Sequence, residues 1–203
     1  MEKPAEIQHP IHELIKNRWS PRAFAARAVE PEKLRSLLEA ARWAASCFNE
    51  QPWNFIVATK EEGGDGYERL LGCLVEANAL WARHAPVLMI SVARLDFKRN
   101  GKPNRHALHD TGQAAAYLAL QATALGLAVH QMAGFDVSKA RQQFSTPEGF
   151  EPVAVIAVGY PGDPADLPED LRDKELAQRT RLPLEDFVFG GNWGETSPLT
   201  AAE

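Results

Sequence analysis

The sequence predicts a single domain in which helices flank a central β-sheet, and three observations support this. Its 203 residues are enough for one compact domain with a substantial core. Hydrophobic residues make up 45% of the chain and charged residues 24%, a balance that excludes disordered and collagen-like classes. Short apolar runs typical of strands alternate with segments of helical periodicity. Taken alone, this alternation favours a doubly wound α/β sheet.

Each predicted element depends on its periodicity and on the residues that bound it. The second helix is the clearest, because Leu34 and Leu38 recur at helical spacing behind Pro31, which suits a first helical turn. The strands are short apolar or β-branched runs, and we expect those that are apolar throughout to be buried on both faces. The predicted helices are residues 10–16, 31–45, 67–83, 105–125 and 137–144, and the predicted strands are residues 55–59, 87–93, 128–132 and 153–158.

Two segments of the second half have unusual compositions. Residues 105–125 include seven alanines, so this helix has a small-residue face and is expected at the centre of the fold. Beyond residue 160 several prolines interrupt the pattern, and residues 163–175 hold six acidic but only two basic side chains. We interpret this acidic stretch as a solvated surface excursion. The segment 161–203 is expected to pack on a partner subunit.

Charge, hydropathy and motif content exclude several function classes. The formal charge of −5 provides no positive field for a nucleic acid, and no apolar run approaches the roughly 20 residues needed to cross a membrane. Two cysteines without a Cys-x-x-Cys motif, behind a polar N-terminus, predict a cytoplasmic protein. The sequence also lacks the glycine motifs of Rossmann folds and P-loops and the Gly-x-Ser-x-Gly of serine hydrolases.

Two histidine pairs and one cysteine are candidates for a metal site and a nucleophile, but a structural role explains each of them better. His9 and His12, and also His106 and His109, stand three residues apart as a metal-ligand pair on a helix would, but no third ligand is near. We interpret them as solvent-facing or helix-capping histidines and assign no metal. Cys47 has no histidine close to it in sequence, so we favour a small buried hydrophobe over a nucleophile.

Two polar stretches near the N-terminus predict a binding site. Arg18 and Arg22 stand around the hydroxyl of Ser20, a set that suits an anion, although arginine pairs also occur as surface charges. Residues 45–53 lie between a predicted helix and a predicted strand and offer one hydroxyl and two carboxamides. Such groups can meet a planar polar ligand on several edges, or they can bond the local backbone.

Together, Arg-x-Ser-x-Arg at residues 18–22 and Ser-x-x-Asn-x-Gln-Pro-Trp at residues 46–53 resemble the FMN-dependent nitroreductase family. The resemblance continues downstream, in order and with compatible gaps, over nearly the whole chain. The further motifs are Asn78 with Ala85-Pro86, the helix that closes with Leu125-Gly126-Leu127, Gly134-Phe135-Asp136, Val158-Gly159-Tyr160-Pro161 and Arg179-Thr180-Arg181-Leu182-Pro183.

The resemblance implies a fold that the alternation does not. It implies an α+β class, with a mixed and mostly antiparallel sheet flanked by helices, in an intertwined homodimer. Two FMN sites would lie at the dimer interface. Residues 1–203 would form a single FMN-binding domain, with 161–203 a C-terminal extension packing on the partner subunit.

The resemblance also implies which residues bind the flavin. Three arginines would bind the phosphate, and a serine and an arginine would face the ribityl chain and the pyrimidine side. The polar loop would come from the other protomer, and an asparagine would face the pyrimidine edge. Backbone N–H groups would point at N5 and O4 of the ring. The expected cofactor-binding residues are Arg18, Trp19, Ser20, Arg22, Ser46, Cys47, Asn49, Gln51, Asn78, Ala133, Gly134, Arg179 and Arg181.

The implied activity is ping-pong hydride transfer from NAD(P)H, through FMN, to an electron-poor small molecule such as a nitroaromatic or a quinone. No side chain is needed as an obligate acid or base, so we assign no catalytic residue. Ala133 stands where many relatives carry Glu, which leaves acid-dependent steps open. The alternatives are a specialised flavoenzyme of the same fold, an oxidase or dehalogenase, and a flavin-binding protein without turnover.

Overall fold

A computed structural model describes residues 2–61 and 63–200, and its centre is a four-stranded sheet in the order β1-β2-β4-β3. Within these residues each neighbouring pair of strands is antiparallel. This confirms the α+β class, and the doubly wound sheet that the alternation favours is wrong. Alternation fixes the order of elements along the chain but not the direction in which strands pair. The strands are β1 Trp53–Thr59, β2 Val87–Arg94, β3 Ala128–Met132 and β4 Phe150–Gly159.

Helices cover both faces of this sheet, which gives the core two layers. Alternate residues of β2 point to opposite faces, so Met89 packs with α2 and α5 while Ile90 packs with α3 and α4. Both are fully buried, as expected for the continuous apolar run of a central strand. The helices are α1 Glu13–Asn17, α2 Pro31–Arg42, α3 Gly66–Leu71, α4 Glu76–Ala82, α5 Ala107–Ala124, α6 Val137–Gln143 and α7 Glu169–Leu176.

The alanine-rich helix α5 lies at the centre, as predicted. It packs along α2 and contacts β1, β2 and β3. Ala114 and Ala122 have no exposed surface, because small side chains let the neighbouring elements approach closely. No helix in the described part of the chain is long and apolar enough to cross a membrane.

The single helix predicted for residues 67–83 is wrong, because the chain forms α3 and α4 with a break between them. At the break, the N–H of Val75 donates to the carbonyl of Gly134 at 3.1 Å, and the N–H of Asp136 donates to the carbonyl of Cys73 at 2.8 Å. This pairing with a distant segment replaces helical hydrogen bonds. It also brings the start of α4 next to the end of β3.

The acidic segment after residue 160 is more ordered than predicted, since it contains the helix α7. Leu171 and Glu175 on this helix are buried, so the interpretation of a solvated surface is wrong for Glu175. Pro168 precedes the helix, a position where its missing N–H costs nothing. Residues 201–203 of the predicted extension lie outside the described residues. Its packing on a partner subunit stays a prediction.

Candidate functional site

A basic cavity of about 220 Å³ lies where three segments of the chain meet: the N-terminal segment, the loop after α1, and the segment that contains and follows α7. The predicted residues Trp19 and Ser20 also line it. Glu175 is the one acidic residue among the described residues that line the cavity. Its basic residues are Lys3, Arg18, Arg22, Lys174, Arg179 and Arg181. Such an excess of positive charge favours an anionic ligand.

Arg18 lies at the centre of this charge. Its Nη1 donates to Ser20 Oγ at 3.2 Å. Burial, together with the positive charges of Arg179 and Arg181, lowers the pKa of the Arg18 guanidinium. The guanidinium is therefore partly desolvated and repelled by its neighbours. A bound anion would relieve that repulsion.

Arg179 and Arg181 have different partners, although the sequence predicts the same role for both. The guanidinium of Arg179 donates to the carbonyls of Lys3 at 2.7 Å, Lys16 at 3.0 Å and Arg18 at 2.9 Å. It therefore fixes the backbone of the cavity as well as adding charge. Within residues 2–61 and 63–200, the exposed Arg181 donates only to the adjacent Thr180 carbonyl, at 2.7 Å, which leaves N–H groups for a ligand.

Two side chains that sequence reasoning missed, the buried Glu175 and the half-buried His130, hold residues 18–23, the arginine loop, in place. The carboxylate of Glu175 accepts the N–H of Arg22 at 2.8 and 3.0 Å and that of Ala23 at 3.1 Å. On the other side, His130 Nδ1 lies 2.9 Å from the carbonyl of Pro21. Because a carbonyl only accepts, Nδ1 carries the proton. No sequence signal identifies either residue, since their burial is set by distant contacts.

The end of β3 carries the predicted main-chain donors. Within the described residues, the N–H groups of Ala133 and Gly134 donate no hydrogen bond. Asn78 Nδ2 donates to the Gly134 carbonyl at 3.0 Å, which places Asn78 beside these donors, and its contact with a flavin stays a prediction. Because His130 on the same strand contacts the arginine loop, β3 connects the basic cavity with these free donors.

The predicted polar loop, residues 46–51, lies elsewhere in the chain. Its side chains form hydrogen bonds within the loop: Ser46 Oγ accepts the backbone N–H of Gln51 at 3.0 Å, and Gln51 Nε2 donates to Asn49 Oδ1 at 3.0 Å. The Cys47 N–H donates to the buried carboxylate of Asp110 at 2.9 Å. The loop leads into β1, three strand spacings, or about 14 Å, from β3. A single chain therefore does not bring this loop to the basic cavity.

The backbone of this loop is strained. Phe48, Asn49 and Gln51 have φ values of 53°, 57° and 49°, a region that residues other than glycine rarely adopt. Strain of this kind persists only where the surroundings hold it, and it is concentrated at ligand sites. The loop is thus a second candidate element of the site, separate from the basic cavity in one chain.

Fold and site together define an α+β protein with a basic anion cavity beside an edge strand, and comparison with known proteins gives its family. The chain belongs to the nitroreductase family, whose sequence model matches residues 15–160. This confirms the resemblance seen in the sequence.

Individual relatives agree with this assignment. A crystal structure of an oxidoreductase containing FMN is 34% identical, with a TM-score of 0.88, over 95% of this chain and 97% of that one. A Xanthomonas oryzae protein named "Putative NADH dehydrogenase/NAD(P)H nitroreductase" is 30% identical over 77% of this chain and 87% of its own length. An uncharacterised 15.4 kDa protein of Mycolicibacterium smegmatis is 37% identical over 69% of this chain and 97% of its own length.

The half-buried His130 predicts a pH dependence of stability. Burial lowers its pKa to about 4, whereas an unfolded histidine has a pKa near 6.5. The unfolded state therefore binds more protons between these values, so stability is lost as the pH falls through this window and is retained above about pH 6.5. Between pH 7 and pH 4.5 the contribution of His130 falls by about 2 kcal/mol.

Urea unfolding at one protein concentration checks this prediction. The His130→Gln variant keeps an N–H donor for Pro21 but does not titrate, so its unfolding free energy should decline less between pH 7 and pH 4.5 than that of the wild type. The exposed His84→Gln variant is the matched control and should follow the wild type. Parallel pH profiles for wild type and His130→Gln would contradict the assignment.

Proposed function

We propose that this chain is an FMN-dependent oxidoreductase that takes hydride from NAD(P)H and reduces an electron-poor small molecule, such as a nitroaromatic or a quinone. The observation that supports it most is the basic cavity, whose arginine loop contacts β3 through His130, together with the two free backbone N–H groups at the end of that strand. The flavin enzyme class and the cofactors, FMN with NAD(P)H, agree with the family and with the names of the relatives. The two free cysteines suit the reducing cytoplasm in which we place the enzyme.

The basic cavity fits the phosphate end of FMN. Its volume of about 220 Å³ is below the roughly 300–1,000 Å³ of pockets for whole organic ligands, so it suits only a part of the cofactor. Arg18 and Arg181 would bind the phosphate through charge-assisted hydrogen bonds. Arg179 would hold the backbone of Arg18 in place through its hydrogen bond to the Arg18 carbonyl. Ser20, Arg22 and Trp19 would lie beside the ribityl chain and the pyrimidine side.

The end of β3 fits the ring end of the cofactor. When bound, FMN supplies the hydride-transfer chemistry, and the protein supplies orientation and electrostatics. The N–H groups of Ala133 and Gly134 would stabilise negative charge on the ring, because preorganised main-chain donors act on developing charge. The methyl side chain of Ala133 cannot donate a proton. The N–H groups of Ala133 and Gly134 would therefore act on the ring through their dipoles alone. Asn78 would complete this end from α4.

We place the polar loop of residues 46–51 in the site of a second protomer, in an intertwined homodimer. The loop is about 14 Å from β3 in its own chain, yet its strained backbone marks it as a ligand element. Large apolar side chains are also exposed, among them Leu108 on α5 and Leu182 and Trp193 in the C-terminal segment. Such surface is typical of an interface. The segment 161–203 would extend the single domain onto its partner.

The visible absorption spectrum of the purified protein, followed by anaerobic titration with NADH and then NADPH, tests the proposed function. We expect a yellow protein that bleaches on reduction, and the titration identifies the preferred donor. A yellow protein that neither donor bleaches would instead support a flavin protein without this turnover. A colourless protein that does not take up added FMN would refute the proposal.

Replacement of Arg181 tests the phosphate assignment. Because this exposed guanidinium has few internal partners, Arg181→Ala should weaken FMN binding by about 1.5–3 kcal/mol, the usual value of a charge-assisted hydrogen bond, without affecting folding. Fluorescence titration with FMN measures the dissociation constant. The control is Arg35→Ala, which removes an exposed arginine paired with Glu32 on α2. An unchanged affinity in Arg181→Ala would remove Arg181 from the site.

Mixing two inactive variants tests whether the site is shared between protomers. Arg18→Ala damages the basic cavity, and Asn49→Gly removes the loop carboxamide in a backbone conformation that glycine adopts freely. Random exchange makes about half of the dimers mixed, each with one intact site, so FMN loading should recover to about one quarter of wild type. Each variant exchanged with itself is the control. No recovery in a verified mixed dimer would mean that both residues act within one chain.

A further inference from the structure

The position of Glu175, a buried acidic residue in a basic cavity, is not what charge alone predicts. It lies on α7 with 1% of its surface exposed, and it lines a cavity whose other charged side chains, among the residues described, are all basic. A carboxylate in this position repels a bound phosphate. Burial of a charge is costly unless hydrogen bonds and an opposite charge compensate for it. Glu175 therefore needs a structural reason that outweighs both costs.

The hydrogen bonds of Glu175 supply that reason. Its two oxygens accept the consecutive N–H groups of Arg22 and Ala23, at 2.8 to 3.1 Å, and Oε2 lies 4.0 Å from Arg22 Nη1. Its own backbone carbonyl accepts the ammonium of Lys3 at 2.5 Å. One residue thus joins the N-terminal segment, the arginine loop and the C-terminal helix, the three segments that form the cavity.

The loop is held from its opposite side as well. His130 binds the carbonyl of Pro21, the residue immediately before Arg22. These two contacts fix the backbone of residues 21–23 through main-chain groups, and neither contact is a hydrogen bond from the guanidinium of Arg18 or of Arg22. Among the residues that the structure describes, the guanidinium of Arg18 then has only Ser20 Oγ as its hydrogen-bond partner and remains available to a ligand.

We propose that Glu175 is a positioning residue for the cofactor phosphate: its buried carboxylate sets the backbone of the arginine loop so that Arg18 and Arg22 converge on the cavity. This rests on the proposed function. Glu175 does not contact the phosphate itself, because two negative groups repel each other. Its effect reaches the cofactor through the loop.

A comparison of FMN with riboflavin, which lacks the phosphate, separates positioning from general stability. Dissociation constants for both are measured by flavin fluorescence in wild type, Glu175→Ala and Glu175→Gln. Wild type should bind FMN more tightly than riboflavin. In Glu175→Ala the FMN dissociation constant should rise about tenfold or more and that of riboflavin by less than about threefold, because the loss is confined to charge-assisted contacts. The exposed Glu169→Gln on the same helix is the control and should match wild type.

Glu175→Gln keeps one acceptor oxygen for the loop and removes a negative charge from the cavity. Its preference for FMN over riboflavin should therefore equal or exceed that of wild type, and this variant tests the proposal by itself if Glu175→Ala does not fold. A glutamine variant with a reduced preference, or an alanine variant that weakens both ligands equally or neither, would overturn the proposal. A wild type that binds neither flavin would instead refute the proposed function.

Discussion

Several cationic side chains around one small cavity repel one another, and the chain must offset this repulsion before any ligand binds. Arg179 does so by directing its guanidinium to three main-chain carbonyls, and Glu175 does so with a buried carboxylate. Both use groups that are fixed by the fold. These contacts offset part of the repulsion, and the charge on Arg18 and Arg181 is available to an anion.

The order of strands in the sheet imposes a second constraint on the site. The arginine loop and the free N–H groups lie beside β3, and the polar loop leads into β1 at the opposite edge. Because β2 and β4 stand between these edges, no side-chain movement joins the two halves of the sequence motif within one chain. Segments that are close along the sequence therefore lie apart in one chain, and the proposed homodimer is the arrangement in which two chains could complete the motif.

The sequence predicts much of this structure where local patterns decide it. The bounds of β3 agree with the prediction, and the central position of α5 follows from its alanines. The arginines of residues 18–22 and 179–181 are brought together as the family resemblance implies. Strand direction is not predicted by the alternation, since the period of side chains along a strand is the same in parallel and antiparallel sheets.

The remaining errors have one physical cause, which is pairing between segments far apart in sequence. The break between α3 and α4 depends on residues 134–136, some sixty positions away. The burial of Glu175 depends on the loop at Arg22, and an acidic segment by itself indicates only solvent. His130 is similar, because a single histidine in a short apolar strand has no pattern that distinguishes a buried partner of a carbonyl from an exposed side chain.

The two ends of the site tolerate substitution differently, because one end depends on side chains and the other on the main chain. At position 133 the proposed working group is the main-chain N–H, so exchange of one side chain for another leaves the donor in place. At position 134 the same N–H argument would apply, but a Cβ there would lie 2.6 Å from Asn78 Nδ2 and 3.0 Å from Val75 Cγ2. A side chain at position 134 would therefore displace Asn78 or Val75, so the close approach of these residues favours glycine there. The packing that breaks the predicted helix is the same packing that fixes the donors at the end of β3.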